Sequence, residues 1–178
     1  MMKIPELKNT VFIQHSISVP FEINKIFNFF IKNNLSKYYS NISKGHKYFN
    51  LRKGENLEVG SIIDCEESAG NQSIKHEYYV SDIINNERIS YSSNPSYVKI
   101  KLPWKVIDSK SNTYVYYDFY SNNNCNTNIR LTIGIQFSNK FEQVFSTLFG
   151  GLIPWKKHCI EEMEGLKGVL LNVFLKSL

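Results

Sequence analysis

Two hydrophobic periods divide the chain. In VFIQHSISVP the apolar residues Phe12, Ile13, Ile17 and Val19 follow a near-alternating pattern, which predicts a strand ended by Pro20. In PFEINKIFNFFIKN the spacing becomes helical: Ile23, Ile26, Phe27, Phe30 and Ile31 share a face, with Pro20 in the first turn and Glu22 near the positive helix end. LSKYYSNI predicts a second short helix. From residue 57 the period is two, and six strands are predicted: LEVGSIIDCEES, SIKHEYYVSDI, RISYSS, YVKIKLPWKVID, TYVYYDFYS and NIRLTIGIQF. The turn sequences AGNQ, INNE, SNPS, SKSN and NNNCNT separate them, and turns this close together make neighbouring strands antiparallel. After SNKFEQVFSTLFGGLIP, helical spacing returns from about Pro154 to about Leu175.

On this last helix Trp155, Cys159, Met163, Leu166, Leu170 and Val173 form one apolar stripe, widened by Glu162 and Val169 on one side and Ile160 on the other. Lys156, Lys157, Glu161, Glu164, Lys167 and Lys176 fall mostly off it. The stripe must be buried, and an antiparallel sheet of six or seven strands has one face to offer, so the expected class is α+β with the helix laid on the sheet. A sheet that curls around the helix leaves an apolar cavity between them, with Trp155, Cys159 and Met163 looking into it. HCIEE in this helix holds one His, whereas the zinc-protease motifs of this type need two on one face. No metal site and no cofactor are expected from the sequence.

Composition adds limits. The 178 residues fit one domain over 1–178, and 42% hydrophobic with 21% charged residues excludes a disordered chain. Aromatics reach 14%, with 12 Phe and 11 Tyr, which suits a concave apolar pocket carrying a few hydroxyls. The net charge of +5 is scattered without a run of four basic residues, so nucleic acid is not an expected partner. No stretch of 18 apolar residues occurs, and MMKIPELKNT has neither an apolar core nor a cleavage site. The expected location is cytoplasmic, without stable membrane insertion, and the separated Cys65, Cys125 and Cys159 are expected to be free thiols.

The order strand, two helices, six strands, long helix, with the phrases ISVPFEINKIFNFF, LEVGSIID, YYVSDIINNERISY and WKKHCIEEMEGLKGVL, resembles the START-like (SRPBCC) superfamily. Within it the chain is similar to the bacterial branch labelled polyketide cyclase/dehydrase or lipid transport, and the phrases span nearly the whole sequence. The resemblance implies the helix-grip fold: a curved antiparallel sheet of six to seven strands wrapped around a long C-terminal helix, with two short helices after the first strand. It also implies an apolar ligand between sheet and helix. The superfamily includes carriers, sensors, cyclases and aromatase-like enzymes and has no shared catalytic motif, so no catalytic residue is carried over.

Counting from the AGNQ turn pairs Ser68 with Ser73, Glu67 with Ile74, Glu66 with Lys75, Cys65 with His76 and Ile63 with Tyr78. Leu57, Val59, Ile63 and Cys65 then share the inner face with Ile74, His76, Tyr78 and Val80, and Cys65, Glu67 and His76 project near one end of the cavity. A one-residue slip would carry these three to the outer face. Alternation in YVKIKLPWKV puts Val98, Ile100, Leu102, Trp104 and Val106 inward, opposite Lys99, Lys101 and Lys105. TYVYYDFY turns in either Val115, Tyr117 and Phe119 or Tyr114, Tyr116 and Asp118, the first set being the more apolar; Ile129, Leu131, Ile133, Ile135 and Phe137 point inward from the final strand. The candidate ligand-facing residues are Cys65, His76, Tyr78, Ile100, Trp104, Tyr117, Phe119, Ile133, Trp155, Cys159, Met163 and Leu166.

Three functions fit this pattern. The first is the binding of a small apolar or amphipathic ligand such as a lipid, polyketide or aromatic compound. The second is a cyclase, dehydratase or hydrolase working through His76, Cys65 or Tyr117. The third is a protein-interaction module with a filled core and an exposed patch around residues 141–153, a segment that also fits a lid or plain packing.

Overall fold

The computed structural model describes residues 7–122 and 126–176, apart from the side chain of Asn122. Residues 123–125 of the NNNCNT turn, Cys125 among them, and the first six residues of MMKIPELKNT lie outside the described residues. Strand β1 (Thr10–Val19) leads into helices α1 (Ile23–Ile31) and α2 (Asn34–Ile42), followed by β2 (His46–Leu51), β3 (Ile62–Ala69), β4 (Gln72–Ile84), β5 (Arg88–Ser93), β6 (Ser96–Lys101), β7 (Val106–Asn122) and β8 (Asn126–Phe137). Two helices close the chain, α3 (Lys140–Leu148) and α4 (Ile153–Leu175). The strands form one antiparallel sheet in the order β1-β8-β7-β5-β4-β3-β2, with β6 pairing to β4 and β7 beside this path.

The alternating segments become strands because one face of each is buried. Ile129, Leu131, Ile133, Ile135 and Phe137 of β8 are all buried, as are Tyr117 and Phe119 of β7. The β3–β4 hairpin has the register counted from AGNQ, including Cys65 opposite His76, and Lys75 Nζ reaches Glu66 Oε2 at 3.1 Å on the outer face. Helix α4 packs against β1, α2, β3 and β8. Its Cys159, Met163, Leu166 and Leu170 are fully buried, and complete burial of a Leu or Met side chain contributes roughly 1.5–3 kcal/mol. Helix α1 is fixed by rings: Phe27 and Phe30 pack edge-on against Phe119 at 5.3 and 5.2 Å.

Several local expectations shift. The sheet has eight strands where the sequence predicts six or seven. Strand β2 was hidden because a bulge between His46 and Tyr48 breaks its alternation. YVKIKLPWKVID is not one strand but the tip of a hairpin: Leu102 N–H donates to the Lys105 carbonyl at 2.8 Å, and Pro103, which has no N–H, sits in the turn. Trp104 therefore stands at this tip, 77% exposed, and Val106 is also exposed. SKSN lies inside β7 rather than in a turn. Strand β3 starts only at Ile62, because a turn closed by Ser61 N–H on the Glu58 carbonyl precedes it, leaving Val59 exposed. Helix α1 starts at Ile23, with Glu22 rather than Pro20 at its boundary. On α4 the stripe excludes Ile160, which is exposed, and includes His158, which is buried. The outer face of β7 also holds charge out of water: Asp118 accepts from Arg88 Nε and from Arg130 Nη2, each at 2.6 Å, under Tyr116 and Tyr120.

Helix α4 runs close against the end of α2 at Gly165, where an added Cβ would lie 1.8 Å from the Ile42 carbonyl oxygen; at Gly168, three residues on, it would meet nothing within 4 Å. Gly165→Ala is therefore expected to lower stability by at least about 1–3 kcal/mol through overpacking. Gly168→Ala is expected to raise it by about 0.5–1 kcal/mol through helix propensity. Urea unfolding midpoints check both, and equal midpoints for the two variants would show that α4 does not seat on the end of α2.

Candidate functional site

Between the inner face of the sheet, α2 and the start of α4 lies a cavity with about 80 Å³ of room for the centres of water-sized molecules. That is space for several waters or a compact ligand. The lining combines apolar Ile74, Val98, Leu131, Ile133, Ile135 and Phe137 with polar Tyr39, Glu67, His76, Tyr91, Tyr117 and Glu162. Inward strand positions supply most of them, and Tyr39 comes from α2 and Glu162 from α4.

The polar groups form a connected network. His158 Nε2 hydrogen-bonds Glu67 Oε2 at 3.1 Å, joining α4 to β3. Tyr117 donates to Glu162 Oε1 at 2.6 Å, joining β7 to α4, and Trp155 Nε1 donates to Gln72 Oε1 at 2.6 Å. His76 Nε2 stands 3.5 Å from Glu67 Oε1. His46, brought in by β2, donates from Nδ1 to the Tyr39 carbonyl at 3.0 Å and stacks on the Tyr39 ring at 3.8 Å. Its Nε2 is 3.9 Å from both Glu67 Oε2 and Glu162 Oε2. One ligand-type atom from each of His46, Glu67, His158 and Glu162 falls within 4.8 Å of all the others, and all four residues are buried. Three buried atoms of cavity-lining residues, His76 Nδ1, Tyr91 Oη and Ser111 Oγ, have no hydrogen-bond partner among the described residues.

Burial raises the Glu67 pKa, but the hydrogen bond from His158 and the fields of His76, His158 and His46 outweigh it and hold the carboxyl at about 2. Burial drives His76 the other way, to about 4, against the pull of Glu67. His158 is raised above 6.5, because its hydrogen bond to Glu67 and the carboxylate fields overcome burial. Burial also pushes the Cys159 thiol up to about 12 and the Cys65 thiol well above its usual range. Cys65 Sγ contacts the Tyr39 hydroxyl at 3.2 Å. A thiolate nucleophile at Cys65 does not fit this environment.

Of the sequence-expected residues, His76, Tyr78, Ile100, Tyr117, Ile133 and Trp155 line the cavity. Cys65, Phe119, Cys159, Met163 and Leu166 are buried in the core without lining it. Trp104 is outside altogether, at the β6–β7 tip, because the strand assumed for it is a turn. Sequence reasoning missed His46, His158, Tyr39 and Tyr91. The spacing of His158 and Glu162, one turn apart on the buried side of α4, is the signal that could have found the first polar pair. Helix α3 contributes Ser146 to the cavity lining, while its Phe141, Phe145 and Leu148, and Phe149 just after it, are exposed.

Two of these groups give stability the same pH dependence. His76 is kept neutral at a folded pKa of about 4 against 6.5 in the unfolded chain. The unfolded state thus binds the extra proton, and stability is lost as pH falls from about 6.5 to about 4. Glu67, folded at about 2 against 4.5 unfolded, contributes stability that is complete above 4.5 and lost as pH falls towards 2. His158 has the opposite sign: its contribution is present below 6.5 and is lost as pH rises through its folded value. Urea unfolding in metal-free buffer should show stability falling between pH 6.5 and 4 with a slope of up to about 1.4 kcal/mol per unit. His76→Gln should flatten that slope, and an unchanged slope would show that His76 is not held neutral.

No protein-family profile matches the chain, and no curated protein sequence matches it either. Solved structures do. A protein from Thermus thermophilus, TTHA0849, is 12% identical with a TM-score of 0.63, covering 92% of this chain and 99% of that one. The Zhui aromatase/cyclase from a Streptomyces species is 7% identical with a TM-score of 0.60, covering 89% and 92%. Major latex-like protein 151 from Panax ginseng is 11% identical with a TM-score of 0.54, covering 84% and 97%. At these identities the likeness is one of backbone. No helix of the described residues is long and apolar enough to cross a membrane. The eight-stranded antiparallel sheet closed on a long C-terminal helix is the helix-grip fold expected from the sequence, and in backbone the chain is similar to these structures.

Proposed function

We propose that the chain binds a small amphipathic molecule in the cavity between sheet and α4, its apolar body against β6 to β8 and its polar groups meeting His76, Tyr91 and Ser111. The observation that carries this reading is the set of three polar atoms of cavity-lining residues without partners among the described residues, His76 Nδ1, Tyr91 Oη and Ser111 Oγ. An unsatisfied buried polar group costs about 1–3 kcal/mol, and a ligand's polar groups relieve that cost. The aromatic side chains of Tyr39, Phe49, Tyr78, Tyr91 and Tyr117 in the lining suit a ring-shaped ligand. Neighbours in fold include an aromatase/cyclase, which supports ring-shaped ligands as the class to test. The cytoplasmic location expected from the sequence belongs to the same reading, with Cys65 and Cys159 as free buried thiols.

A second reading, catalysis of cyclase or dehydratase type on such a ligand, is favoured by the proton-bearing pair Tyr117–Glu162 and by His76 in the same cavity lining. Cys65 has no part in it. The filled-core interaction module is disfavoured by the cavity itself.

The fluorophore 1-anilinonaphthalene-8-sulfonate, an apolar ring system with one anionic end, tests the binding reading. It should bind and change Trp155 emission, since Trp155 lines the cavity while Trp104 does not. Ile133→Trp, which fills the apolar wall, should weaken binding at least about tenfold, or about 1.4 kcal/mol, with the far-UV circular dichroism intact. Wild-type affinity in that variant would place the probe elsewhere and sink the reading.

A further inference from the structure

We propose that His46, Glu67, His158 and Glu162 form a closed binding site for a divalent transition cation of the Zn²⁺ class, tying β2 and β3 to α4. Four imidazole and carboxylate ligand atoms within 4.8 Å of one another are a donor set of the kind such cations take. In a tetrahedral site with metal–ligand bonds of about 2.0–2.1 Å, ligand atoms lie about 3.3 Å apart. Here His158 Nε2 to Glu67 Oε2 is 3.1 Å, and His46 Nε2 to each carboxylate is 3.9 Å. A shift smaller than the Zn–ligand bond itself would close the site.

The independent observation is His46. Its side chain is fully buried. A carbonyl oxygen can only accept, so the hydrogen bond to Tyr39 puts a proton on Nδ1, and in the neutral ring, the form that ligates metals, the lone pair is then on Nε2. That lone pair has no hydrogen-bond partner among the described residues and points between two carboxylate oxygens, which are themselves acceptors. Three acceptors facing one point repel unless a cation or a proton stands among them. The charged partners of these carboxylates within 4 Å are histidines alone among the described residues, so a divalent cation would neutralise both in one step.

The outer contacts are those that orient ligands at metal sites. The Tyr39 carbonyl fixes His46, Ser43 Oγ stands 3.5 Å from His158 Nδ1, and Tyr117 occupies Glu162 Oε1, leaving Oε2 for the cluster. The site does not require the ligand proposed for the cavity, although Glu67 and Glu162 belong to both.

The test is titration of chelator-treated full-length protein with Zn²⁺ by calorimetry. One ion per chain and a raised melting temperature are expected. His46→Gln should weaken binding by at least about 100-fold, since losing a ligand costs no less than losing its outer partner. His15→Gln serves as the control: His15 faces Glu164 at 3.4 Å on the surface, and its loss should leave binding unchanged. Should His46→Gln fail to fold, Co²⁺ added to the wild-type chain decides. An intense visible absorption of four-coordinate cobalt with nitrogen and oxygen ligands supports the site, and the weak spectrum of hydrated six-coordinate cobalt overturns it. No Zn²⁺ uptake by the wild type, or equal uptake by His46→Gln, would also overturn it and leave protons as the bridge between the carboxylates.

Discussion

The structure depends on how two carboxylates are kept inside it. Glu67 projects from the sheet and Glu162 from the long helix, and both are buried at the interface between them. An isolated buried carboxylate is prohibitively costly, so each must be held by directional partners. Hydrophobic burial has no direction, and the stripe of Met163, Leu166 and Leu170 would tolerate a sliding helix. The bonds from His158 to Glu67 and from Tyr117 to Glu162 do not, because both are short and join α4 to different strands. Backbone contacts add to this. Gly45 lies so close to the Ser68 carbonyl that an added Cβ would be 2.1 Å from it and 3.0 Å from the His158 ring. A side chain there would push β2 away from both β3 and α4.

Much of this frame was legible from the sequence, and what was not has identifiable causes. The register of β3 and β4 followed from AGNQ because a two-residue turn leaves one pairing that satisfies both faces. The inner faces of β7 and β8 followed from alternation, and the burial of α4 from its 3.6-residue period. Alternation failed where the backbone departs from the pleat. A bulge hid β2, and with it His46, the residue that completes the polar cluster. A proline turn let Leu102, Trp104 and Val106 mimic one face of a strand although the chain reverses between them. His158 escaped because a histidine between Lys157 and Cys159 reads equally as solvated or buried until the sheet is in place.

The low identities to structures of the same fold, from 7 to 12%, explain why the backbone says little about chemistry. The helix-grip frame needs only apolar side chains of suitable size at most inward positions, and many sequences meet that condition. A minority of the cavity-lining positions of this chain are polar: Glu67, Gln72, His76, Tyr91, Ser111, Thr113, Tyr117 and Glu162. Each lowers the stability of a purely apolar core unless something satisfies it. Glu67, Ser111, Thr113 and Tyr117 are paired across the sheet with Ile74, Phe137, Ile135 and Leu131, so polar and apolar groups alternate along the cavity wall.

The two proposed occupants meet at Glu67 and Glu162, which belong both to the cavity wall and to the four-residue cluster. A cation on their oxygens would replace a negative surface by a neutral one on the cavity wall, so it would favour an anionic or phenolic ligand group there and disfavour a cationic one. Coupling of this kind is reciprocal: a ligand held more tightly with the cation present holds the cation more tightly by the same factor. The sign of that coupling depends only on ligand charge, because no rearrangement of sheet or helix is needed to transmit it across one shared pair of carboxylates.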